Sequence, residues 1–140
     1  MKKILLPYDG SESAKRAVQH VIANFNEGPE TEIYLLHVID PTQLGADDSF
    51  WKGDSKEKLL AEGENVLQPA KQMLAQANVP FQSSVTLGSP GNEIPSYARA
   101  HGCTGIVMGT RGMSSIASFF VGSVAHRVMQ FADVPVTLVK

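Results

Sequence analysis

The chain has 140 residues, of which 43% are hydrophobic and 19% are charged, and its formal net charge is −2. This size and balance predict a single globular domain over residues 1–140 with a core of its own. Basic residues form no stripe that could neutralise a nucleic-acid backbone, so we expect no nucleic-acid partner. No apolar run reaches the ~20 residues of a membrane span, the N-terminus has no signal-peptide pattern, and the single cysteine, Cys103, suits a reducing compartment. We therefore expect a cytoplasmic protein without a membrane partner.

Hydrophobic patterning predicts five strands that alternate with four helices. Most of the strands are apolar runs without polar alternation, which is typical of a parallel sheet covered on both faces. The helices carry apolar residues at spacings of three and four. In chain order the strands cover 4–6, 33–39, 81–87, 104–108 and 135–139, and the helices cover 14–25 with Ser11 as N-cap, about 55–77, a segment marked by Ile94, Tyr97 and Ala98, and about 122–131.

Two prolines and one long loop interrupt this pattern. Pro69 lies inside the second helix and should kink or divide it, whereas Pro95 is predicted in the first turn of the third helix, where proline is tolerated. Residues 41–54 have no clear period and form a loop that is longer than most connections. Trp51 in this loop covers a ligand, lies at a subunit contact, or anchors the loop by packing.

The order of elements predicts an α/β fold with an open, parallel, five-stranded sheet and helices on both faces. In such sheets ligands bind beyond the carboxyl ends of the strands, where strand order reverses. Residues 7–11 and 38–40 follow the first and second strands, and another loop follows the fourth. These three loops meet over one crevice if the first strand lies between the second and the fourth. His37, in the second strand, is interpreted as packed.

The segment from Gly109 to Ser123 gives the strongest indication of function. Gly109-Thr110-Arg111-Gly112 follows the fourth strand, and nine residues separate Gly112 from Gly122-Ser123, where the last helix begins. Glycine lets the backbone turn tightly and approach a ligand, and a helix N-terminus offers unpaired N–H groups and partial positive charge. This arrangement predicts a cradle for an anion such as the phosphates of a nucleotide. Arg111 either neutralises a phosphate or points into solvent.

These residues resemble the ATP-binding motif of the universal stress protein family. The resemblance rests on Gly109-x-x-Gly112-x9-Gly122-Ser123 and extends to segments 4–11, 37–38, 88–90 and 135–139, so it covers essentially the whole chain. It implies strand order 3-2-1-4-5, a fold like that of the adenine nucleotide alpha hydrolases, and a homodimer joined through the last strand. It also implies that ATP binds in the crevice, and the triphosphate would bring Mg²⁺ with it.

The resemblance implies a phosphate-binding role for four residues. Gly109 and Gly112 would let backbone amides approach the phosphates. Gly122 and Ser123 would present amides and a hydroxyl at the start of the last helix. Ser123 on its own suits a helix N-cap equally well.

The resemblance implies base-binding and ribose-binding roles for four others. Pro7 would wall the base pocket, and Val38 would offer its backbone N–H and C=O to the adenine edge. Met108 would flank the ribose, and Asp9 would accept a hydrogen bond from the ribose or the adenine. Asp9 suits a cap of the first helix equally well.

Three classes of function remain open. The first is an ATP-binding, nucleotide-responsive dimeric stress protein with at most slow hydrolysis, because the chain lacks a G-x-x-x-x-G-K-[ST] loop and an identifiable acid–base pair. The second is a structural or interaction dimer of the same fold that binds no nucleotide, which the presence of all three glycines and Ser123 disfavours. The third is an enzyme on a related scaffold, such as a nucleotidyltransferase. The loop 8–11 disfavours it, because it contains no H-x-G-H pair.

Overall fold

The computed structural model describes residues 2–25, 30–44, 54–111 and 121–140. Five strands alternate with four helices in these ranges, and a short 3-10 helix, Pro41–Leu44, follows the second strand. The strands are β1 (Lys2–Pro7), β2 (Thr31–Ile39), β3 (Phe81–Leu87), β4 (Gly105–Gly109) and β5 (Val136–Val139). The helices are α1 (Glu12–Phe25), α2 (Ser55–Gln76), α3 (Pro90–Ala100) and α4 (Ser123–Phe131).

The five strands form one parallel sheet in the order β3-β2-β1-β4-β5. This order confirms the predicted 3-2-1-4-5. β1 is the central strand, and its Leu5 aligns with Tyr34 of β2 on one side and with Ile106 of β4 on the other. Strand order reverses at β1, so the segments that follow β1, β2 and β4 emerge side by side at one edge of the sheet.

Helices cover both faces of the sheet, as predicted. Successive side chains of a strand point to opposite faces, so neighbouring residues of β1 pack against different helices. Leu6 of β1 belongs to a buried cluster with Val18 of α1 and Leu74 of α2. The adjacent Leu5 belongs to a second buried cluster, which contains Ile94 of α3 and residues of α4. These two apolar layers hold the sheet rigidly beneath its loops.

The structure places both prolines inside helices. α2 continues through Pro69, so this proline does not divide the helix. The prediction that Pro95 lies in the first turn of α3 was wrong, because α3 begins at Pro90 with Ser89 as its N-cap. Pro90 itself occupies the N1 position, where the missing N–H is not needed, and Pro95 therefore falls in the second turn.

The long loop is described only in part. Residues 45–53, and with them Trp51, lie outside the described residues.

Among the helices that the structure describes, none combines the length and the apolar character that crossing a bilayer requires.

Candidate functional site

The candidate site lies at the carboxyl edge of the sheet, which we define as the ends of β1, β2 and β4 with the residues that follow them. The Tyr8 N–H, just after β1, donates to the Leu36 carbonyl of β2 at 2.8 Å. The Thr110 N–H, just after β4, donates to the Val139 carbonyl of β5 at 2.9 Å. Because these strands are neighbours, the predicted loops lie together at this edge.

The turn between β1 and α1 is held by its own side chains. Asp9 Oδ1 accepts the Ser11 N–H at 2.9 Å in an Asx turn. Ser11 Oγ accepts the Ala14 N–H at 3.2 Å, which confirms Ser11 as the N-cap of α1. Gly10 has a φ of +85°, a left-handed conformation that glycine adopts without strain. Asp9 is exposed, and its contact with a ribose or an adenine stays a prediction.

Two serines at the start of α1 hold the glycine loop. Ser13 Oγ donates to the Arg111 carbonyl at 2.8 Å and accepts the Arg111 N–H at 3.3 Å. Ser11 Oγ donates to the same carbonyl at 3.3 Å. Ser13 is only 4% exposed, so these hydrogen bonds are shielded from water. We call Ser11, Ser13 and the Arg111 main chain the serine clasp. The role of Ser13 in it was not predicted from the sequence.

Gly109 is a glycine because α1 packs directly on the end of β4. A Cβ at this position would lie 2.7 Å from the Ser13 carbonyl carbon and 2.8 Å from the Ala14 nitrogen. These are backbone atoms of a helix, and they cannot move aside for a side chain. This packing accounts for the glycine by itself, and the approach of a phosphate to Gly109 stays a prediction. Gly112 lies outside the described residues, and Arg111 is half-buried.

The start of α4 presents unpaired amides. Gly122 is the N-cap of α4, and its own N–H donates to the Thr110 carbonyl at 2.6 Å. By contrast, the amides of Ser123, Val124 and Ala125 donate to no other residue in the described part of the chain. A helix N-terminus with open amides favours a negative charge. Ser123 is exposed at this helix start, whereas Gly122 is buried.

The main chain of Val38 faces the gap beyond the end of β1. Successive peptide groups of a strand face alternate neighbours. Leu36 presents its carbonyl to Tyr8, whereas Ile39 presents its carbonyl to Gly88 after β3, both at 2.8 Å. Val38 is two residues from Leu36, so its N–H and C=O face the side of β1, which has already ended. No hydrogen bond joins either group to a described residue, so the donor and acceptor predicted for the adenine edge are open.

Pro7 is the last residue of β1 and Met108 the penultimate residue of β4, and both lie beside this gap. Pro7 is buried. Met108 is 6% exposed and belongs to the buried cluster against which Val38 packs, so both side chains lie on the sheet face that α3 and α4 cover. The contacts of Pro7 with a base and of Met108 with a ribose stay predictions.

His37 makes a contact that the sequence analysis did not anticipate. It is half-buried, and its Nδ1 lies 2.8 Å from the Tyr8 carbonyl oxygen. A carbonyl oxygen can only accept, so Nδ1 is the donor and carries a proton. His37 thus ties β2 to the segment that follows β1. A histidine within an apolar strand gives no sign of this in sequence.

Tyr8, next to the turn, is a buried residue whose phenol has a raised pKa. Burial raises the pKa of its phenol, and the carboxylates of Asp9 and Glu12 raise that pKa further. The phenol is neutral at physiological pH, and its hydroxyl has no hydrogen-bond partner among the described residues. Within those same ranges, no group of three or more His, Cys, Asp or Glu side chains is placed to hold a metal ion.

Comparison with known proteins places the whole chain in one family. The model of the universal stress protein family matches residues 1–140. Universal stress protein MJ0531 of Methanocaldococcus jannaschii is 36% identical over 142 residues, which cover 99% of this chain and 82% of that protein. Universal stress protein MJ0577 of the same organism is 31% identical over 154 residues, which cover 99% of this chain and 94% of that protein.

Solved structures share the fold over the same extent. The structure of MJ0577, described as a hypothetical protein, matches with a TM-score of 0.88 and 34% identity, covering 99% of this chain and 95% of that one. A universal stress protein family protein from Arabidopsis thaliana with AMP bound matches with a TM-score of 0.71 and 18% identity, covering 100% of this chain and 92% of that one. At 18% identity the second likeness concerns the fold alone.

Proposed function

This chain belongs to the universal stress protein family, and we propose that it binds an adenine nucleotide, ATP above all, at the carboxyl edge of its sheet. The observation that carries the proposal is the set of open main-chain groups at that edge, at Val38 and at Ser123 to Ala125. The chain would act in the cytoplasm as a nucleotide-responsive module of the stress response.

The phosphates would bind at the start of α4. The amides of Ser123, Val124 and Ala125 carry the roughly half elementary positive charge of a helix N-terminus. Gly122 would contribute space rather than its amide, because that amide is already bonded to Thr110. Gly109 and Gly112 would bring the preceding main chain close to the phosphates, and the serine clasp would hold that main chain in place.

The base and the ribose would bind between the ends of β1, β2 and β4. Val38 would donate its N–H to one ring nitrogen of adenine and accept from the exocyclic amino group. Pro7 would wall the base pocket, Met108 would flank the ribose, and the exposed Asp9 would accept from a ribose hydroxyl or from the adenine. The AMP bound by the Arabidopsis protein supports this placement only in showing that the fold accommodates an adenine nucleotide.

Mg²⁺ would accompany the triphosphate rather than occupy a site built by the protein. Mg²⁺ retains several waters and binds readily to phosphate oxygens. The described residues contribute no cluster of carboxylates to hold it. Backbone amides alone stabilise developing charge only in part, so we expect hydrolysis to be slow if it occurs.

Calorimetric titration with MgATP tests the proposal, using Gly122→Val as the variant. The wild-type chain should bind, and the valine side chain in front of the open amides should reduce the affinity by more than about 100-fold. Gly122 has φ −62° and ψ 159°, which valine adopts without backbone strain, and circular dichroism of the variant checks that this buried position accepts the side chain. Gly105→Ala, at the other end of β4, is the matched glycine control and should bind like the wild type.

The second candidate, an interaction dimer that binds no nucleotide, is an outcome of the same experiment. A wild-type chain that neither binds added MgATP nor carries a nucleotide through purification, as measured by mass spectrometry, would favour it. Wild-type affinity in Gly122→Val would remove the phosphate assignment alone.

We also propose a homodimer joined through β5. β5 pairs with β4 on one side, and no described strand covers its other side, so its outer N–H and C=O groups can pair with a second copy. On α4, which precedes β5, Met129 is 43% exposed and Phe131 is 47% exposed, which adds apolar surface nearby. Sedimentation equilibrium should give twice the chain mass at micromolar concentration, and a monomer would contradict the dimer.

A further inference from the structure

We propose that His37 is a positioning residue that keeps the main chain of Val38 open for a ligand. This role rests on the proposed function, because the ligand in question is the nucleotide at the carboxyl edge. His37 would act through the Tyr8 carbonyl rather than by touching the nucleotide.

The hydrogen-bond ladder between β1 and β2 stops one rung short of where it could end. Its last rung is the bond from the Tyr8 N–H to the Leu36 carbonyl at 2.8 Å. In a parallel pair the next rung would join the Val38 N–H to the Tyr8 carbonyl. That bond is absent among the described residues, and the Tyr8 carbonyl instead accepts from His37 Nδ1 at 2.8 Å.

The imidazole therefore takes the place of the missing rung. Tyr8 is 2% exposed, so its own main-chain carbonyl needs a partner from within the protein. With that carbonyl already accepting from His37, a second bond from the Val38 N–H would gain less than a first one would. The chain after Tyr8 turns away at once, because Asp9 accepts the Ser11 N–H and Gly10 takes its left-handed conformation.

Removing the imidazole should change which groups pair. Without a donor at position 37, the Tyr8 carbonyl can be satisfied only by the Val38 N–H or by water. Pairing with Val38 would extend the ladder by one rung and remove the donor that the adenine edge requires. The affinity for the nucleotide should fall, although no residue that contacts it has changed.

Three variants separate this role from simple packing. His37→Leu keeps the bulk and removes the donor. His37→Asn places its amide nitrogen on Cγ, as Nδ1 is, and retains the donor, whereas His37→Gln moves that nitrogen one bond further out. His37→Asn should therefore behave like the wild type, and His37→Leu and His37→Gln should behave like each other. If His37→Leu does not fold, His37→Asn and His37→Gln still provide the comparison.

Hydrogen exchange of the Val38 amide, followed by NMR without nucleotide, is the first measurement. The amide should exchange quickly in the wild type and in His37→Asn, and about ten times more slowly in His37→Leu and His37→Gln, where it pairs with Tyr8. Equal exchange in all four proteins overturns the proposal.

Affinity for MgATP and for inorganic tripolyphosphate is the second measurement. His37→Leu and His37→Gln should bind MgATP about tenfold more weakly than the wild type, His37→Asn should bind within about twofold of it, and tripolyphosphate affinity should not change. Unchanged MgATP affinity in His37→Leu and His37→Gln overturns the role of His37 and leaves the proposed function standing. Parallel loss of MgATP and tripolyphosphate overturns it as well, because His37 would then be a general structural residue. Failure of the wild type to bind MgATP refutes the proposed function, whereas the exchange contrast at Val38 still decides whether His37 controls that amide.

Discussion

At the amino edge of the sheet, where β1 and β4 begin, the main chain is paired across the strands. The Thr104 N–H donates to the Lys3 carbonyl at 2.7 Å, and the Ile106 N–H donates to the Pro135 carbonyl at 2.9 Å. At the carboxyl edge, within the described residues, the Val38 main chain and the first amides of α4 remain unpaired. Both edges belong to the same five-stranded sheet. The proposed nucleotide site rests on this difference.

The two edges even share a hydrogen-bonding device. At the amino edge Thr104 Oγ1 accepts the Lys3 N–H at 3.1 Å and donates to the Lys3 carbonyl at 3.2 Å. At the carboxyl edge Ser13 Oγ does the same with Arg111 at 3.3 Å and 2.8 Å. Thr104 is exposed, whereas Ser13 is buried. The buried version is the stronger constraint, because no water competes for its partners.

A cavity by itself does not mark a nucleotide site. A cavity of about 460 Å³ lies at the amino edge, where Ile4, Val107 and Pro135 are among its lining residues. Its lining is largely apolar, and the neighbouring main chain is hydrogen-bonded. A nucleotide needs donors for its phosphates, and the amides at the start of α4, which have no partner among the described residues, lie at the opposite edge.

The largest difference in stability should come from comparing alanine substitutions at the two ends of β4. Gly109→Ala should lower the free energy of unfolding by about 3 kcal/mol, since its Cβ would strike the backbone of Ser13 and Ala14. Gly105→Ala should cost less than about 1 kcal/mol, because its Cβ would lie 3.4 Å from Ile4 Cδ1. Urea denaturation of both variants checks this contrast. Equal losses would mean that α1 does not press on the carboxyl end of β4.

The next effect compares the two hydroxyl devices. Ser13→Ala should cost about 2 kcal/mol of stability, because it removes buried hydrogen bonds from the Arg111 main chain. It should also weaken MgATP binding several-fold if the proposed site is correct. Thr104→Val should cost less than about 1 kcal/mol, because water can replace the exposed hydroxyl. Urea denaturation and calorimetry of both proteins provide the measurements. A larger loss for Thr104→Val would reverse the comparison.

The smallest effect concerns the two tyrosines that lie near opposite edges. Tyr8→Phe should raise stability by about 1 kcal/mol at pH 7, because it removes a buried hydroxyl without a described partner. Tyr34→Phe should lower stability slightly, because the Tyr34 hydroxyl donates to Glu32 at 2.9 Å. Thermal unfolding of both variants distinguishes these opposite signs. A loss of stability in Tyr8→Phe would show that the Tyr8 hydroxyl is bonded after all.

The same variant carries a pH dependence. Burial raises the pKa of Tyr8 above its ordinary value of 10.0, so the phenol ionises in the unfolded chain before it does in the folded one. Ionisation of Tyr8 therefore costs the wild type no stability below pH 10, and the wild type loses stability as the pH rises through the folded pKa. The advantage of Tyr8→Phe over the wild type should grow above pH 10. A constant difference between pH 8 and pH 11 would contradict this assignment.

The sequence predicted the architecture well because the strands and helices depend on local pattern. Buried apolar runs located the strands, Ser11 was found as the N-cap of α1, and the family resemblance supplied the strand order. Pro95 was misplaced because α3 begins at Pro90, before the apolar residues from Ile94 onward that marked the predicted helix. The serine clasp and the His37 contact were missed for a different reason. Ser13 and Arg111 are 98 residues apart, and their pairing exists only after the sheet has brought α1 onto β4.

The most direct measurement is an NMR titration of the ¹⁵N-labelled chain with MgATP, followed at individual amides. Those of Val38, Ser123, Val124 and Ala125 should shift together as the nucleotide binds, and those of Thr104 and Ile106 at the amino edge should not move. Shifts confined to the amino edge, or no shifts at millimolar MgATP, would contradict the claim that the unpaired main chain at the carboxyl edge forms the nucleotide site.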